Sequence, residues 1–215
     1  MSYAARTLDY ECDPEAIYAS SFAQIEACGA LANVPETLRP LAARLVHSTG
    51  IPAIVDDLRA SADVVERGRT ALRSGAGIYC DTDTVRHGIM RRLLPEGCEI
   101  YCAVHEPAVA QHAREAGTTR SAAQFDLWGE RLDGQVVAIG NAPTALFRLL
   151  EIVDAGLARP ACVLAFPVGF VGAAESKAEL VRSPRGMAYA TNEGRMGGSG
   201  WAQAAVNAIA GGLAR

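Results

Sequence analysis

The feature that most constrains the fold is an alternation of short apolar runs and helical patterns after about residue 76. Five runs have the composition of buried strands: Ile78–Cys80, Glu99–Val104, Gln135–Ile139, Ala161–Phe166 and Met187–Ala190. The helical patterns between and after them lie at about 84–94, 107–116, 121–132, 144–154, 173–181 and 201–213. Such alternation predicts a parallel sheet covered on both faces. We therefore expect an α/β fold with a doubly wound, mostly parallel, flavodoxin-like sheet.

Three helical patterns precede this region, at about 14–28, 35–49 and 62–75. They predict extra N-terminal helices beside the sheet. The 215 residues suit one domain with a sizeable core. We expect a single domain over 1–215, with a helical part at about 13–75 and an α/β part at about 76–215.

Composition narrows the classes of function. The net charge is −4 and no basic block stands out, so the sequence gives no support for a nucleic-acid partner. No apolar run is long enough to span a membrane, and the charged N-terminus is unlike a signal peptide. We expect a soluble, cytoplasmic protein. The six cysteines are scattered without a CxxC pair, which favours buried reduced thiols over a zinc site.

Unusual turns follow four of the predicted strands, and the one after the third strand reads VAIGNAPTALF over residues 137–147. The carboxyl edge of an open α/β sheet is the usual ligand site, and the start of the next helix favours an anion. Glycine turns also let a ligand approach the backbone closely. None of the turns has a dinucleotide or phosphate-loop motif, so a nucleotide is possible but unsupported. A negatively charged ligand is the first expectation, and tight strand-to-helix turns are the alternative.

Two acids and a histidine follow the first predicted strand. Asp81, Asp83 and His87 could bind a metal, but the same residues are typical of helix capping and dipole compensation, which we favour. No G-x-S-x-G turn is present, so a serine hydrolase lacks its nucleophile motif.

A second pair of residues with useful chemistry lies near the end of the second helix. Arg44 and His47 are three residues apart and share one helix face, away from the apolar stripe of that helix. A solvated polar face is one interpretation of this spacing. The other is a site in which arginine holds an anion and imidazole moves a proton.

Several stretches together resemble precorrin-8X methylmutase, a family of cobalamin biosynthesis. They are spread over nearly the whole chain: Ile17-Tyr18-x-x-Ser21-Phe22, RLVHSTG at 44–50, GxGIxCD at 75–81, TRSAA at 119–123, VVAIGNAPTALF at 136–147, PVGFVGAAESK at 167–177 and Gly197-Gly198-Ser199. The two longest stretches are specific, whereas the short ones would be weak alone. The chain departs from the family pattern at Ile51-Pro52-Ala53 and at Thr84.

The resemblance implies an isomerase that moves a methyl group of precorrin-8X, a tetrapyrrole, from carbon 11 to carbon 12 and gives hydrogenobyrinate. It implies no redox cofactor, no metal, and a homodimer with sites near the subunit interface. His47 matches the catalytic histidine, which could donate a proton to the ring. The expected substrate-binding residues are Ser21, Arg44, Arg120, Ser121, Asn141 and Thr144. Arginines and helix N-termini suit the carboxylates around such a macrocycle.

Three other functions remain open at the level of sequence. The first is the same reaction on the cobalt-containing substrate of the anaerobic pathway, because a metal at the ring centre needs no protein motif. The second is a flavin- or dinucleotide-dependent oxidoreductase, against which the missing glycine motif counts. The third is a non-catalytic corrinoid carrier, which would bind product without needing the Arg44–His47 pair.

Overall fold

The computed structural model describes residues 8–211, and within them six strands form one sheet. The strands are β1 (Leu58–Ala60), β2 (Ile78–Cys80), β3 (Ile100–Tyr101), β4 (Val136–Ile139), β5 (Cys162–Ala165) and β6 (Ala188–Asn192). Their spatial order is β1-β6-β5-β4-β2-β3, and every neighbouring pair is parallel except β1 and β6.

Nine α-helices occur within the same described residues. They are α1 (Pro14–Ala27), α2 (Arg39–Thr49), α3 (Val64–Arg73), α4 (Asp83–Gly88), α5 (Pro107–Glu115), α6 (Arg120–Trp128), α7 (Pro143–Asp154), α8 (Ala173–Arg182) and α9 (Ser199–Ala210). Short 3₁₀ turns lie at Glu36–Leu38, Pro52–Val55, Arg91–Leu93 and Gly129–Leu132. None of the helices between residues 8 and 211 is long and apolar enough to cross a membrane.

The predicted fold class is confirmed. Numbered among themselves, the five parallel strands have the order 2-1-3-4-5, which is the flavodoxin-like arrangement. The order reverses between β2 and β4, so the crevice at their carboxyl ends is the topological switch point. Strand β1 was not predicted, because three residues paired antiparallel at an edge give no periodic signal. It also places part of the N-terminal region in the sheet.

The sheet separates two hydrophobic cores, because successive side chains of a strand point to opposite faces. In β4, Val136 and Ala138 face the core formed with α2, α3, α4 and α9. Val137 and Ile139 face the core formed with α5, α6, α7 and α8. All four β4 residues are fully buried, which explains why the strand reads as a continuous apolar run rather than an alternating one.

Several predicted boundaries were wrong for identifiable reasons. The predicted strand at 99–104 is shortened to β3, where the buried Gln124 amide oxygen accepts the Ala103 N–H in place of a strand partner. The third helix begins at Val64, and Ser61 does not cap it, because the Ser61 hydroxyl accepts the Tyr189 N–H. The predicted end of the last helix at Leu213 lies outside the described residues.

The predicted helix at 84–94 is also interrupted, since α4 ends at Gly88. The buried Asn207 side chain of α9 accepts the Met90 N–H at 2.9 Å and donates to the Gly88 carbonyl at 3.3 Å. These two bonds replace the helical ones at the break. The chain then enters the 3₁₀ turn Arg91–Leu93.

Helix α1 differs from the others because most of its apolar residues are outside the core. Among the described residues of this helix only Ile25 is buried, whereas Ile17 and Tyr18 are 48% and 41% exposed. Asp13 caps the helix by accepting the Glu15 N–H. Because these apolar residues of α1 contribute little to the core, their surface is a candidate for binding a ligand or a partner.

Candidate functional site

The residues Tyr18, Ser21, Phe22, Arg44 and His47 form a cluster where α1 packs on α2, which we call the imidazole cluster. The Ser21 hydroxyl and Nδ1 of His47 share a hydrogen bond of 2.8 Å. The Phe22 ring stacks on the imidazole with centroids 4.9 Å apart, and the Tyr18 ring meets it edge-on at 5.5 Å. The imidazole is therefore fixed by two rings and one hydroxyl.

Arg44 completes the imidazole cluster from the preceding turn of α2. Its guanidinium carbon lies 5.5 Å from the Tyr18 ring centroid and 5.4 Å from that of Phe22, within cation–π range. No carboxylate within residues 8–211 forms an ion pair with Arg44. The guanidinium is positioned without a protein anion, and can accept one from a ligand.

The protonation of His47 follows from these surroundings. Burial lowers the pKa of the imidazole below its ordinary value, and the positive charge of Arg44 lowers it further. In the neutral ring with the proton on Nε2, the Ser21 hydroxyl donates to Nδ1. In the imidazolium, the Nδ1–H donates to the same oxygen. Because a hydroxyl can rotate, Ser21 satisfies the ring in both charge states.

Two grooves lie on either side of the imidazole cluster. One has a volume of about 510 Å³ and is lined by His47 and Ser21, with residues of α1 and the turn after α2. The other has a volume of about 450 Å³ and is lined by Tyr18 and Arg44, with the turn that contains Arg92. Sizes of this order suit ligands larger than a single amino acid.

A second group lies at the carboxyl ends of β2 and β4, and we call it the sheet-edge cluster: Asp81, Thr119, Ser121, Asn141 and Thr144. Asp81 is fully buried at the switch point, and its carboxylate accepts the N–H groups of Gly140 (2.9 Å), Asn141 (2.9 Å) and Ala142 (2.8 Å). Burial raises the pKa of Asp81, and the three donated hydrogen bonds oppose that effect.

The anion expected at the VAIGNAPTALF turn is thus a side chain of the chain itself. Asp81 follows β2, which neighbours β4, so its carboxylate reaches the amides that the sequence assigned to a ligand. These three turn amides are therefore not available to a ligand, whereas an anion at the first turn of α7 stays a prediction. Within α4, Asp83 lies in the first turn and His87 in the last, as dipole compensation predicts, whereas the Asp81 carboxylate binds the turn before α7.

The side chains of the sheet-edge cluster have other contacts. Thr119 caps α6 by accepting the Ala122 N–H, and its hydroxyl lies 2.7 Å from that of Thr144. Ser121 donates to the Asp81 carbonyl at 3.4 Å. Asn141, Thr144 and Arg120 are exposed. The structure therefore brings Ser121, Asn141 and Thr144 to one sheet edge, with Arg120 on the first turn of α6.

The predicted site residues fall into two places. Ser21, Arg44 and His47 belong to the imidazole cluster, whereas Arg120, Ser121, Asn141 and Thr144 lie at the sheet edge. No hydrogen bond or ion pair among the described residues joins the first set to the second.

Two of the glycine turns serve packing. A Cβ on Gly140 would lie 2.6 Å from the Ser199 Cα, and one on Gly197 would lie 2.4 Å from the Phe166 carbonyl oxygen. Gly140 lets α9 begin directly against the β4 turn, and Gly197 lets the loop before α9 pack on the backbone after β5, so at these two glycines the space is filled by the chain itself.

The acids, histidines and cysteines considered as metal ligands do not converge on one site. Asp83 pairs with Arg86, at 3.0 Å, and with the exposed His105. Within residues 8–211 no group of three or more histidine, cysteine or acidic side chains could hold a metal ion. The cysteines are free thiols in this range. Cys80 and Cys162 are buried as expected and Cys98 and Cys102 are half-buried, but Cys12 and Cys28 are exposed, so the expectation of burial was wrong for these two.

Lys177 is a functional candidate that the sequence did not single out. It is 1% exposed, and its ammonium donates to the Asn192 side-chain oxygen at 3.2 Å and to the Met196 carbonyl. Burial lowers the pKa of Lys177 to about 8. The lysine ties the loop after β6, which leads into Gly197 and α9, to helix α8.

Comparison with known proteins agrees with this fold and these motifs. The sequence profile of the family described as precorrin-8X methylmutase matches residues 16–211. The precorrin-8X methylmutase of Pseudomonas aeruginosa is 50% identical over 203 residues, covering 94% of this chain and 98% of that protein. The chain belongs to the precorrin-8X methylmutase family. It is accordingly an isomerase of the methyl-shifting class.

Two further relatives bear on substrate and fold. A cobalt-precorrin-8 methylmutase of Salmonella typhimurium is 42% identical over 170 residues, covering 77% of each chain. The crystal structure of precorrin-8X methylmutase from Thermus thermophilus superposes with a TM-score of 0.82 at 35% identity, over 91% of this chain and 94% of that one. Relatives named for precorrin-8X and relatives named for cobalt-precorrin-8 therefore both resemble this chain.

Proposed function

We propose that this protein moves a methyl group from carbon 11 to carbon 12 of metal-free precorrin-8X and releases hydrogenobyrinate, with His47 as the proton donor. The observation that carries the proposal is the imidazole held by Ser21 and Phe22 beside the guanidinium of Arg44. The relatives named for the metal-free substrate support it, because they match at about 50% identity over 94% of the chain.

The reaction requires no net uptake of a proton, so a proton that His47 donates must be given back within the same turnover. Substrate and product of an isomerase have the same atoms, so a proton given to the ring during methyl migration must leave it afterwards. An imidazole whose charge changes near neutral pH can give and recover it. Protonation of the ring system makes carbon 12 electron-poor, so the methyl group can form its bond there with the electron pair of the bond to carbon 11 that breaks.

Arg44 couples substrate binding to the charge of His47. In the free protein its guanidinium disfavours the imidazolium, so the neutral ring predominates near pH 7. A substrate carboxylate bound to Arg44 would offset that positive charge and raise the pKa of His47. The donor would then gain its proton when substrate is present.

We assign substrate binding to Ser21, Arg44, Arg120, Ser121, Asn141 and Thr144, as the family motifs imply. Arg44 is the best supported of these, since it lines a groove and forms no ion pair with a carboxylate of the described residues. At the sheet edge the turn amides are already bound to Asp81, so they cannot hold the substrate. The support there comes from the side chains of Asn141, Thr144 and Arg120, which are exposed.

A homodimer is also part of the proposal. Phe170 and Val171 are 84% and 88% exposed on the loop between β5 and α8, beside the sheet edge. Adjacent apolar side chains with such exposure are typical of a surface covered in an assembly. Light scattering coupled to gel filtration would measure a mass of about twice 22.6 kDa for a dimer, and a mass of one chain would contradict it.

The deciding experiment is an anaerobic absorbance time course with purified protein and metal-free precorrin-8X. Conversion to the hydrogenobyrinate spectrum is expected. Conversion of the cobalt-containing substrate alone would transfer the function to the anaerobic pathway, for which relatives of 30–42% identity supply the precedent. Binding of both compounds without conversion of either would favour a corrinoid carrier.

A further inference from the structure

The groove beside Tyr18 and Arg44 contains a cation that neither the sequence motifs nor the family motifs select. Its volume is about 450 Å³, and its walls come from three parts of the chain. Helix α1 supplies Tyr18 and Glu15, helix α2 supplies Arg44, and the turn after α4 supplies Arg92. Met90, Leu93 and Pro14 add apolar surface to it.

Arg92 reaches this groove because helix α4 ends early. The chain leaves α-helical geometry after Gly88 and enters the 3₁₀ turn Arg91–Leu93, from which Arg92 lines the groove. Asn207, 3% exposed in α9, binds the carbonyl of Gly88 and the N–H of Met90 and so maintains the break. The groove wall is therefore a built feature of the core rather than a loose surface turn.

The charges of the groove leave room for an anion. It contains the guanidinium groups of Arg44 and Arg92 and one carboxylate, that of Glu15. Within residues 8–211 neither arginine forms an ion pair with any acidic side chain, Glu15 included. The Arg92 guanidinium instead lies 3.6 Å from the Met90 sulfur.

We propose that Arg92 binds a peripheral carboxylate of the tetrapyrrole, in a subsite next to the carboxylate held by Arg44. The methylene stem of such a side chain would lie against Tyr18, Met90 and Leu93, and its carboxylate would accept two N–H bonds from the guanidinium. This subsite rests on the proposed function, because it takes a substrate rich in carboxylates. It adds a residue outside the family motifs to the set that fixes the orientation of the ring.

The test compares Arg92→Gln with Arg91→Gln, since Arg91 is the neighbouring exposed arginine and does not line the groove. Hydrogenobyrinate binding is measured by absorbance titration, and circular dichroism checks that both variants fold. We expect Arg92→Gln to weaken binding about tenfold and to raise KM more than it lowers kcat, as loss of one charge-assisted contact predicts. Arg91→Gln should bind as the wild type does.

A derivative of the product strengthens the test. Hydrogenobyrinate with single side-chain carboxylates converted to amides would be titrated against wild type and Arg92→Gln. One amide should weaken binding to the wild type and have much less effect on Arg92→Gln, because both changes remove the same contact. Equal losses in both proteins at every amide, or equal affinities of the Arg92→Gln and Arg91→Gln variants, would overturn the assignment of Arg92.

The two proposals fail differently. A wild-type protein that converts neither precorrin-8X nor its cobalt form contradicts the proposed function. A wild-type protein that converts substrate while Arg92→Gln matches Arg91→Gln contradicts only the subsite.

Discussion

At the sheet edge three backbone N–H groups are already bound by Asp81, whereas on α2 the guanidinium of Arg44 forms no ion pair with a carboxylate of the described residues. The turn amides of the first region are satisfied without a ligand, whereas the guanidinium of the second is unpaired within the described residues. The edge is where a doubly wound sheet is expected to bind a ligand. In this protein the turn amides at that edge are bound by a side chain of the chain itself, and Arg44 presents its charge on one of the added helices.

The difference suggests distinct roles: the sheet edge positions side chains, and the imidazole cluster supplies the reacting group. Asp81 fixes the turn before α7 and so holds Asn141 and Thr144 in place before any ligand arrives. The imidazole cluster holds a titratable ring whose pKa is lowered by burial and by the neighbouring guanidinium of Arg44. The predictions below test whether the two regions respond in these different ways.

The largest effect is expected at His47. We expect His47→Ala to lower kcat by about 10²–10⁴-fold, because a general acid is removed, and to leave hydrogenobyrinate binding within a few-fold of wild type. Single-turnover absorbance and product titration measure the two quantities. The exposed His105→Ala is the matched control. A His47→Ala variant with wild-type turnover would remove the imidazole cluster from the chemistry.

The next effect is on folding rather than catalysis. Asp81→Ala leaves the buried N–H groups at Gly140 and Ala142 without partners, and should lower the free energy of unfolding by about 3 kcal/mol or more. Urea denaturation measures the loss. Asp133→Ala is the control, since Asp133 is exposed and accepts one backbone N–H, from Arg159. Equal stabilities of the two variants would show that the turn does not depend on its internal carboxylate.

A smaller effect concerns the pKa of His47. Because the positive charge of Arg44 lowers that pKa, Arg44→Gln should raise it toward the ordinary value and Arg44→Lys should leave it low. The fraction of imidazolium falls as pH rises through the pKa. The limb of kcat/KM that needs the proton should therefore move to higher pH in Arg44→Gln. NMR titration of the His47 ring measures the pKa directly, and an unchanged value in Arg44→Gln would refute the coupling.

The smallest effect is expected at Asn141. If the side chain makes one exposed contact to substrate, Asn141→Ala should raise KM by about three- to tenfold, as loss of a single neutral hydrogen bond predicts, with stability preserved because the backbone N–H still binds Asp81. KM measurements report the loss of the substrate contact, and thermal denaturation reports whether stability is preserved. A large loss of stability would mean that the two regions do not divide positioning and binding in this way.

The sequence predicted the sheet well and the site only in part. Parallel strands such as β4 and β5 are buried on both faces, so they can be recognised in the sequence as continuous apolar runs. The family motifs located Ser21, Arg44 and His47, and the structure joins them in one cluster. These parts depend on local sequence.

The parts that could not be predicted depend on contacts between distant residues. The Asp81 carboxylate reaches amides 59–61 residues away, so neither partner alone reveals the bond. The break in α4 depends on Asn207, which lies 117 residues after Met90. From the sequence alone, Arg92 is therefore assigned to a long helix, because the break that places it in a turn depends on α9.

Helix α9 has a consequence for when the site can exist during synthesis. Its first residue packs on Gly140 beside the sheet edge, its length packs on α2, and its Asn207 shapes the turn of Arg92. All these partners leave the ribosome well before residues 199–207. A nascent chain can hold the motifs of both clusters while their geometry is still unformed, so ligand binding must await α9.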